Sequence, residues 1–234
     1  MQNKKVDIAP SVMCADLCNL EAGVKEISDL GIELLHVDIL DGHFSPSMPL
    51  GIDTIKQLKT RTNMKFDVHI MSKNNEYFIQ EMIDLDVHQI SFHIETSDHV
   101  DRHVQLIKQS GIKTAVALNP ATPLTELEYI LPLCDTVVLM LINPGFATNK
   151  NEKQVPYAVQ KVKDLKKMID EKGLQTQIEV DGRVSFDTIP ELVHAGADIL
   201  VAGSTSLFSS KQSLSENKKE MEEQIKKGLF EEVK

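Results

Sequence analysis

No apolar run in this chain approaches the roughly 20 residues that a membrane-crossing helix needs, and the opening segment MQNKKVDIAPS carries no apolar signal core. The expected location is therefore the cytoplasm. Basic charge is scarce as well: 25 Lys and Arg stand against 35 Asp and Glu, a formal net charge of −10. Nucleic acid or an anionic membrane as the main partner would need a dominant basic surface, so neither is expected. A small anion remains open, because a phosphate is held by a local cluster of backbone N–H groups whatever the overall charge. Cysteine is sparse; Cys14, Cys18 and Cys134 cannot all pair internally, and one C-x3-C without a second pair is a poor zinc framework. Reduced thiols are expected. No Ser/Gly linker or charge block divides the chain, which reads as a single domain over 1–234. Also missing is a G-x-G-x-x-G turn after an early strand, which removes the main support for dinucleotide binding.

What is present is a repeated alternation of short β-type runs and longer amphipathic ones. The strands predicted by period and β-branched content are 6–11, 33–39, 64–70, 88–94, 113–119, 135–141, 176–182 and 198–204. Helical runs lie between them, among others at 20–31, 76–85, 104–111, 156–173 and 191–196, several ending in Gly. Repeated βα units mean a parallel sheet. Eight of them at this length predict a closed (β/α)8 TIM barrel, with a polar closing helix from about residue 212.

In such a barrel the chemistry sits at the C-terminal ends of the strands. The unusual polar residues of this sequence fall there: Ser11, His36 and Asp38, His69, His93 and Glu95, Asn143, Asp181, Gly203 and Ser204. Strand periodicity puts His36 and Asp38 on one face. Taken alone, that pair reads equally as a His–Asp hydrogen bond or as half of a cation site. His69 joins it from the adjacent strand and Asp181 from across the mouth, and two imidazoles with two carboxylates suit zinc, iron(II), manganese or cobalt better than magnesium. Asp67 points inward nearer the strand base, either to orient an imidazole or to make a core hydrogen bond. Three Gly-containing turns, NPGF (143–146), DG (181–182) and AGSTSLF (202–208), lie where these barrels seat a phosphate, the last as the start of a short helix.

The segments IAPS with CADL, HVDILDGHF, DVHIM, SFHIE, MLINPGF, EVDG and VAGSTSLF, in this order and spacing, resemble the ribulose-phosphate 3-epimerase family over nearly the whole chain. The resemblance implies a metal-dependent 3-epimerase that interconverts D-ribulose 5-phosphate and D-xylulose 5-phosphate through an enediolate. It implies metal ligands His36, Asp38, His69 and Asp181, with Asp38 and Asp181 as the acid/base pair. Substrate contacts would come from Ser11, His69, Met71, Met140, Gly145, Gly182, Gly203 and Ser204, and a homo-oligomer is implied too. The sequence departs from the family pattern at Cys14, Leu40, Ala147, Thr148, Asn149 and Arg183. All lie where substrate is gripped, and Arg183, beside the phosphate seat, either contacts phosphate or points to solvent. The MCADL and LNPATP stretches are similar to the D-allulose 6-phosphate 3-epimerase branch, which makes a six-carbon ketose phosphate the alternative substrate. A sugar-phosphate-binding barrel without turnover is the reading from another class.

Overall fold

The computed structural model describes residues 5–145, 149 and 151–230. Its eight strands are β1 Asp7–Pro10, β2 Leu34–Leu40, β3 Lys65–Met71, β4 Gln89–His93, β5 Lys113–Leu118, β6 Thr136–Met140, β7 Gln177–Asp181 and β8 Ile199–Ala202. Each starts and ends close to the run that periodicity marks. All pair in parallel, in the order β1-β8-β7-β6-β5-β4-β3-β2. A bridge between Ser11 and His36 joins β1 to β2 and closes the ring.

The strands show two faces of different chemistry. On β2, Leu35, Val37 and Ile39 belong to the apolar core that lies under the helices, as do Phe66, Val68 and Ile70 on β3. Their neighbours by period two turn into the barrel. On the β5–β6 side that interior is apolar toward the mouth, with Ala117, Val138 and Met140 in contact, and Thr136 nearer the base is its polar member. On β2, β3, β4 and β7 it is polar: His36, Asp67, His69, Gln89, Ser91 and Glu179 are all fully or almost fully buried. Barrel interiors are ordinarily filled by branched apolar side chains. A polar interior on one side only therefore marks where the fold has given up packing for something else.

The helices are α1 Leu20–Asp29, α2 Ile52–Lys59, α3 Asn75–Asp84, α4 Val100–Gln109, α5 Ala158–Glu171, α6 Ile189–Ala195 and α7 Leu214–Phe230. Two readings of the sequence need correction. No α-helix follows β5; two 3-10 turns, Leu124–Leu127 and Leu131–Leu133, take its place, in a segment where Pro120, Pro123 and Pro132 each lack a backbone donor. AGSTSLF does not start a helix either. It forms a turn in which the N–H groups of Ser206 and Phe208 both donate to the Gly203 carbonyl at 3.1 Å.

The polar C-terminal helix begins with a capping box. Ser213 Oγ accepts from the Glu216 N–H at 3.3 Å, and Glu216 Oε2 accepts from the Ser213 N–H at 2.9 Å. Its buried seam, Met221, Ile225 and Gly228, packs on α6 so closely that a Cβ at Gly228 would lie 2.6 Å from the Pro190 carbonyl oxygen. Asn217 on the same seam donates to the carbonyls of Leu207 and Ser209 at 2.9 and 2.8 Å. The closing helix thereby fixes the loop after β8. Among the described residues no helix is long and apolar enough to cross a membrane.

Candidate active site

Parallel register sets the site. Asp38 lies beside His69 and His36 beside Asp67 across the β2–β3 pair, while Met140 lies beside Asp181 across β6–β7. One ligand atom from each of His36, Asp38, His69 and Asp181 falls within 4.8 Å of all the others. His36 Nε2 is 3.3 Å from Asp38 Oδ1, and His69 Nδ1 is 3.6 Å from both Asp38 Oδ1 and Asp181 Oδ2. These two ring nitrogens are buried and make no hydrogen bond. A buried polar atom without a partner is costly. Nitrogen and carboxylate ligands converging on one point fit a divalent cation, which would satisfy both nitrogens at once.

The electrostatics agree with that fit. Burial works against charge on His36, but Asp38 and Asp67 outweigh it and hold the imidazole pKa well above its ordinary value. Burial likewise opposes charge on His69; the Asp181 and Asp38 carboxylates close to its Nδ1 raise its pKa to about 9. Asp38 is the counterpart, disfavoured as an anion by burial yet held well below the ordinary carboxylate range by His36 and His69. A pocket that draws protons this strongly onto its imidazoles draws a metal cation by the same charge, with the protons displaced on binding.

Below the cluster lies a layer that fixes His36. Its Nδ1 is 2.7 Å from Asp67 Oδ2 and 3.1 Å from Glu179 Oε1. Gln89 Nε2 donates to Asp67 Oδ1 at 2.8 Å and to Glu179 Oε2 at 3.0 Å, and Gln89 Oε1 accepts from the Thr136 hydroxyl at 2.7 Å. Burial, then the nearby Asp67 charge, pushes Glu179 up to about 8, so it keeps its proton at neutral pH. Asp67 stays ionised: desolvation is outweighed by His36. An ionised carboxylate only accepts, so once a cation displaces one of the two His36 protons the other stays on Nδ1 and the Nε2 lone pair faces the cluster. Asp67 thus takes the first of its two sequence readings. Glu179 and Gln89 are missing from the residues singled out in the sequence. The signal for Glu179 was available, since it shares the inward parity of Asp181 on a strand whose other face, Ile178 and Val180, is apolar.

Above the cluster, one cavity gathers ten of the candidate residues: Ser11, Asp38, Met71, Met140, Gly145, Asp181, Gly182, Arg183, Gly203 and Ser204. Leu40 and Cys14 line it as well. A larger hollow, about 670 Å³, opens at the opposite end of the barrel among Lys5, Lys65 and Lys113, but among the described residues no converging set of imidazole and carboxylate ligands lines it, and chemistry rather than volume identifies the site. Ser11 Oγ donates to Asp38 Oδ2 at 3.0 Å. Gly145 is required by space: at φ +82°, a Cβ there would lie 1.5 Å from Ser45 Oγ. Arg183 takes the left-handed region, φ +53°, and its Nη2 donates to the Asn149 carbonyl at 2.6 Å. It therefore does not simply point to solvent. Ala147 and Thr148, two of the departures noted above, lie outside the described residues.

Asp41 ties two rim loops together. Its Oδ1 accepts from the N–H groups of His43 and Phe44 at 2.8 and 2.9 Å, and its Oδ2 accepts from the Ser72 hydroxyl at 2.8 Å and the Lys73 N–H at 3.0 Å. Burial alone would raise its pKa, but these four donors lower it to about 2. A depressed carboxylate pKa contributes stability above the unfolded value, which is lost as pH falls through the folded one. Replacing Asp41 with Asn should lower stability by about 1–3 kcal/mol at pH 7. In urea unfolding, the gap between parent and variant should narrow as pH falls below about 4; a gap constant down to pH 3 would rule out the charge as its source.

Comparison with known proteins follows the same lines. Residues 7–208 match the ribulose-phosphate 3 epimerase family. The ribulose-phosphate 3-epimerase of Methanocaldococcus jannaschii is 40% identical over 199 residues, covering 85% of this chain and 83% of the relative. That of Bacillus subtilis is 36% identical over 214 residues, covering 90% and 97%. Among solved structures, 3-hexulose-6-phosphate synthase from Salmonella typhimurium superposes with a TM-score of 0.67 at 12% identity, covering 95% of this chain and 100% of that one; at that identity it speaks for the barrel alone. With its closed parallel barrel, its His/Asp cluster at the C-terminal mouth and relatives of this similarity, the chain belongs to the ribulose-phosphate 3-epimerase family.

Proposed function

We propose that the chain interconverts D-ribulose 5-phosphate and D-xylulose 5-phosphate by moving the proton at C3. The observation that carries this reading is the convergence of His36, Asp38, His69 and Asp181 at the base of a cavity rimmed by glycine turns. Inverting C3 of a 2-ketose requires a base on one face and an acid on the other, since one group cannot easily serve both. Asp38 on β2 and Asp181 on β7 stand with β1 and β8 between them in the ring, which gives each carboxylate its own approach to C3. Ser11 holds Asp38 in place and offers a hydroxyl to the sugar. Met71 and Met140 close the cavity around the reacting carbons and keep water from the carbanion.

His36, Asp38, His69 and Asp181 would hold one divalent ion, zinc or iron(II) in the first instance, with manganese or cobalt also suited to the ligands. Such an ion supplies Lewis-acid stabilisation of charge developing on the ketose oxygens. Gly145, Gly182, Gly203 and Ser204 surround the phosphate, so that binding energy at the remote end positions C3. The chain works as a single unit over 1–234, in the cytoplasm and as a homo-oligomer.

Epimerisation measured on a panel of five- and six-carbon ketose phosphates, D-allulose 6-phosphate among them, tests the assignment. D-ribulose 5-phosphate should give the highest kcat/KM; a six-carbon substrate ahead of it would move the chain to the other branch, and no turnover on any would leave a binding protein. Arg183 gives a separate expectation. With its guanidinium beside the phosphate seat, Arg183→Gly should raise KM by about tenfold while changing kcat little. Unchanged kinetics would confine Arg183 to holding Asn149.

A further inference from the structure

The SFHIE segment contributes two residues, His93 and Glu95, that the epimerase mechanism above does not use. His93 ends β4, is fully buried, and brings Nε2 to 3.0 Å from Nε2 of His69. The two rings are 22° from parallel with centroids 5.0 Å apart, which is the separation of rings hydrogen-bonded edge to edge; face-to-face stacking would bring them closer. On its other side, His93 Nδ1 lies 3.2 Å from Glu95 Oε2. Glu95 is itself anchored, because its Oε1 accepts from the Asn119 N–H at 2.6 Å and from the Thr122 hydroxyl.

We propose that Glu95 and His93 are positioning residues that set the tautomer of His69, so that its Nδ1 lone pair is presented to the cluster. Each link of the chain forces the next. The Glu95 carboxylate can only accept, so His93 carries its proton on Nδ1. His93 Nε2 is then an acceptor, and the nitrogen facing it, His69 Nε2, must be the donor. A neutral His69 with its proton on Nε2 has only Nδ1 left as a ligand, and Nδ1 is the buried nitrogen without a hydrogen bond, 3.6 Å from Asp38 Oδ1 and Asp181 Oδ2. His36 is oriented by a carboxylate directly, through Asp67. The second imidazole is oriented through an intervening one, which places no added negative charge against it. The proposal rests on reading the four residues as a cation site, since a ligand's tautomer matters only to what it binds.

Glu95→Gln tests it, because the surroundings dictate how the new amide sits. The Asn119 N–H can only donate, so the amide oxygen must take the Oε1 position, and the NH2 group then faces His93 Nδ1. His93 has to move its proton to Nε2, where it opposes the proton on His69 Nε2 and drives it to Nδ1. Two readouts follow. In metal-free protein at a pH above the His69 pKa of about 9, where that ring is neutral, 15N NMR of the ring nitrogens should show His93 protonated on Nδ1 in the parent and on Nε2 in the variant. Zinc affinity, measured by chelator competition, should fall by about 10–100-fold. His93→Phe breaks the chain, and in that background Glu95→Gln should cost no further affinity. The proposal is overturned if Glu95→Gln leaves the His93 tautomer unchanged, if zinc affinity stays within about twofold of the parent, or if the loss persists in the His93→Phe background. If the parent itself does not bind zinc, the cation-site reading fails, and the NMR result alone decides whether the relay exists.

Discussion

Asp38→Asn and Asp181→Asn should each lower net epimerisation by about a thousandfold, within the range that a positioned acid or base contributes. The reason is the proposed division of labour, in which carboxylates on β2 and β7, with β1 and β8 between them in the ring, would each serve one face of C3. Removing one leaves the other nearby, so partial chemistry should survive. Each variant should still exchange the C3 hydrogen of one epimer with deuterated solvent, and the favoured epimer should be opposite in the two. Both residues also belong to the cation cluster, so metal content has to be measured beside the rates. Exchange of the same epimer by both metal-loaded variants, or epimerisation at the parent rate by either, would dismiss the two-base assignment.

His69→Ala should be comparably severe by a different route. It deletes one of four proposed ligands and leaves the Asp38 and Asp181 carboxylates facing each other without the imidazole between them. Loss of a partner that merely orients a ligand costs roughly 10–100-fold in metal affinity, so loss of the ligand itself should cost more than about 100-fold. Bound metal after gel filtration and kcat should fall together. A variant that keeps its full metal complement while losing turnover would move His69 from the metal to the substrate.

The strands were legible because a parallel barrel buries both faces of each, which writes short β-branched runs such as TVVLM and ILVA between turn residues. The inward-facing His36, Asp38 and His69 stood out for the same reason, as polar residues inside those runs. Elsewhere the local signal was weaker. Helix α2 has only eight residues, with Ile55 and Leu58 its buried members, and follows a Pro-containing loop that masks its period. The missing helix after β5 reflects Pro120, Pro123 and Pro132, whose cost to a helix was readable but is local. Glu179 and Gln89 were hidden by long range: Gln89 bridges Asp67 and Glu179 from β4, a contact between residues ninety positions apart that no window of sequence contains. Asn217 is of the same kind, a polar residue on a polar helix until the fold places it under the loop after β8.

In the proposed reaction Asp38 and Asp181 would move the C3 proton from opposite faces through solvent-exchanging carboxyl groups, and His36, Asp38, His69 and Asp181 would hold a divalent cation that supplies Lewis-acid stabilisation. Following D-ribulose 5-phosphate by NMR in deuterated water, with protein first stripped by chelation and then reloaded with zinc or iron(II), tests it most directly. The stripped protein should give no product, and the reloaded protein should give D-xylulose 5-phosphate that carries deuterium at C3. Product formed at the same rate by rigorously metal-free protein, or product that keeps its original C3 hydrogen, would contradict it.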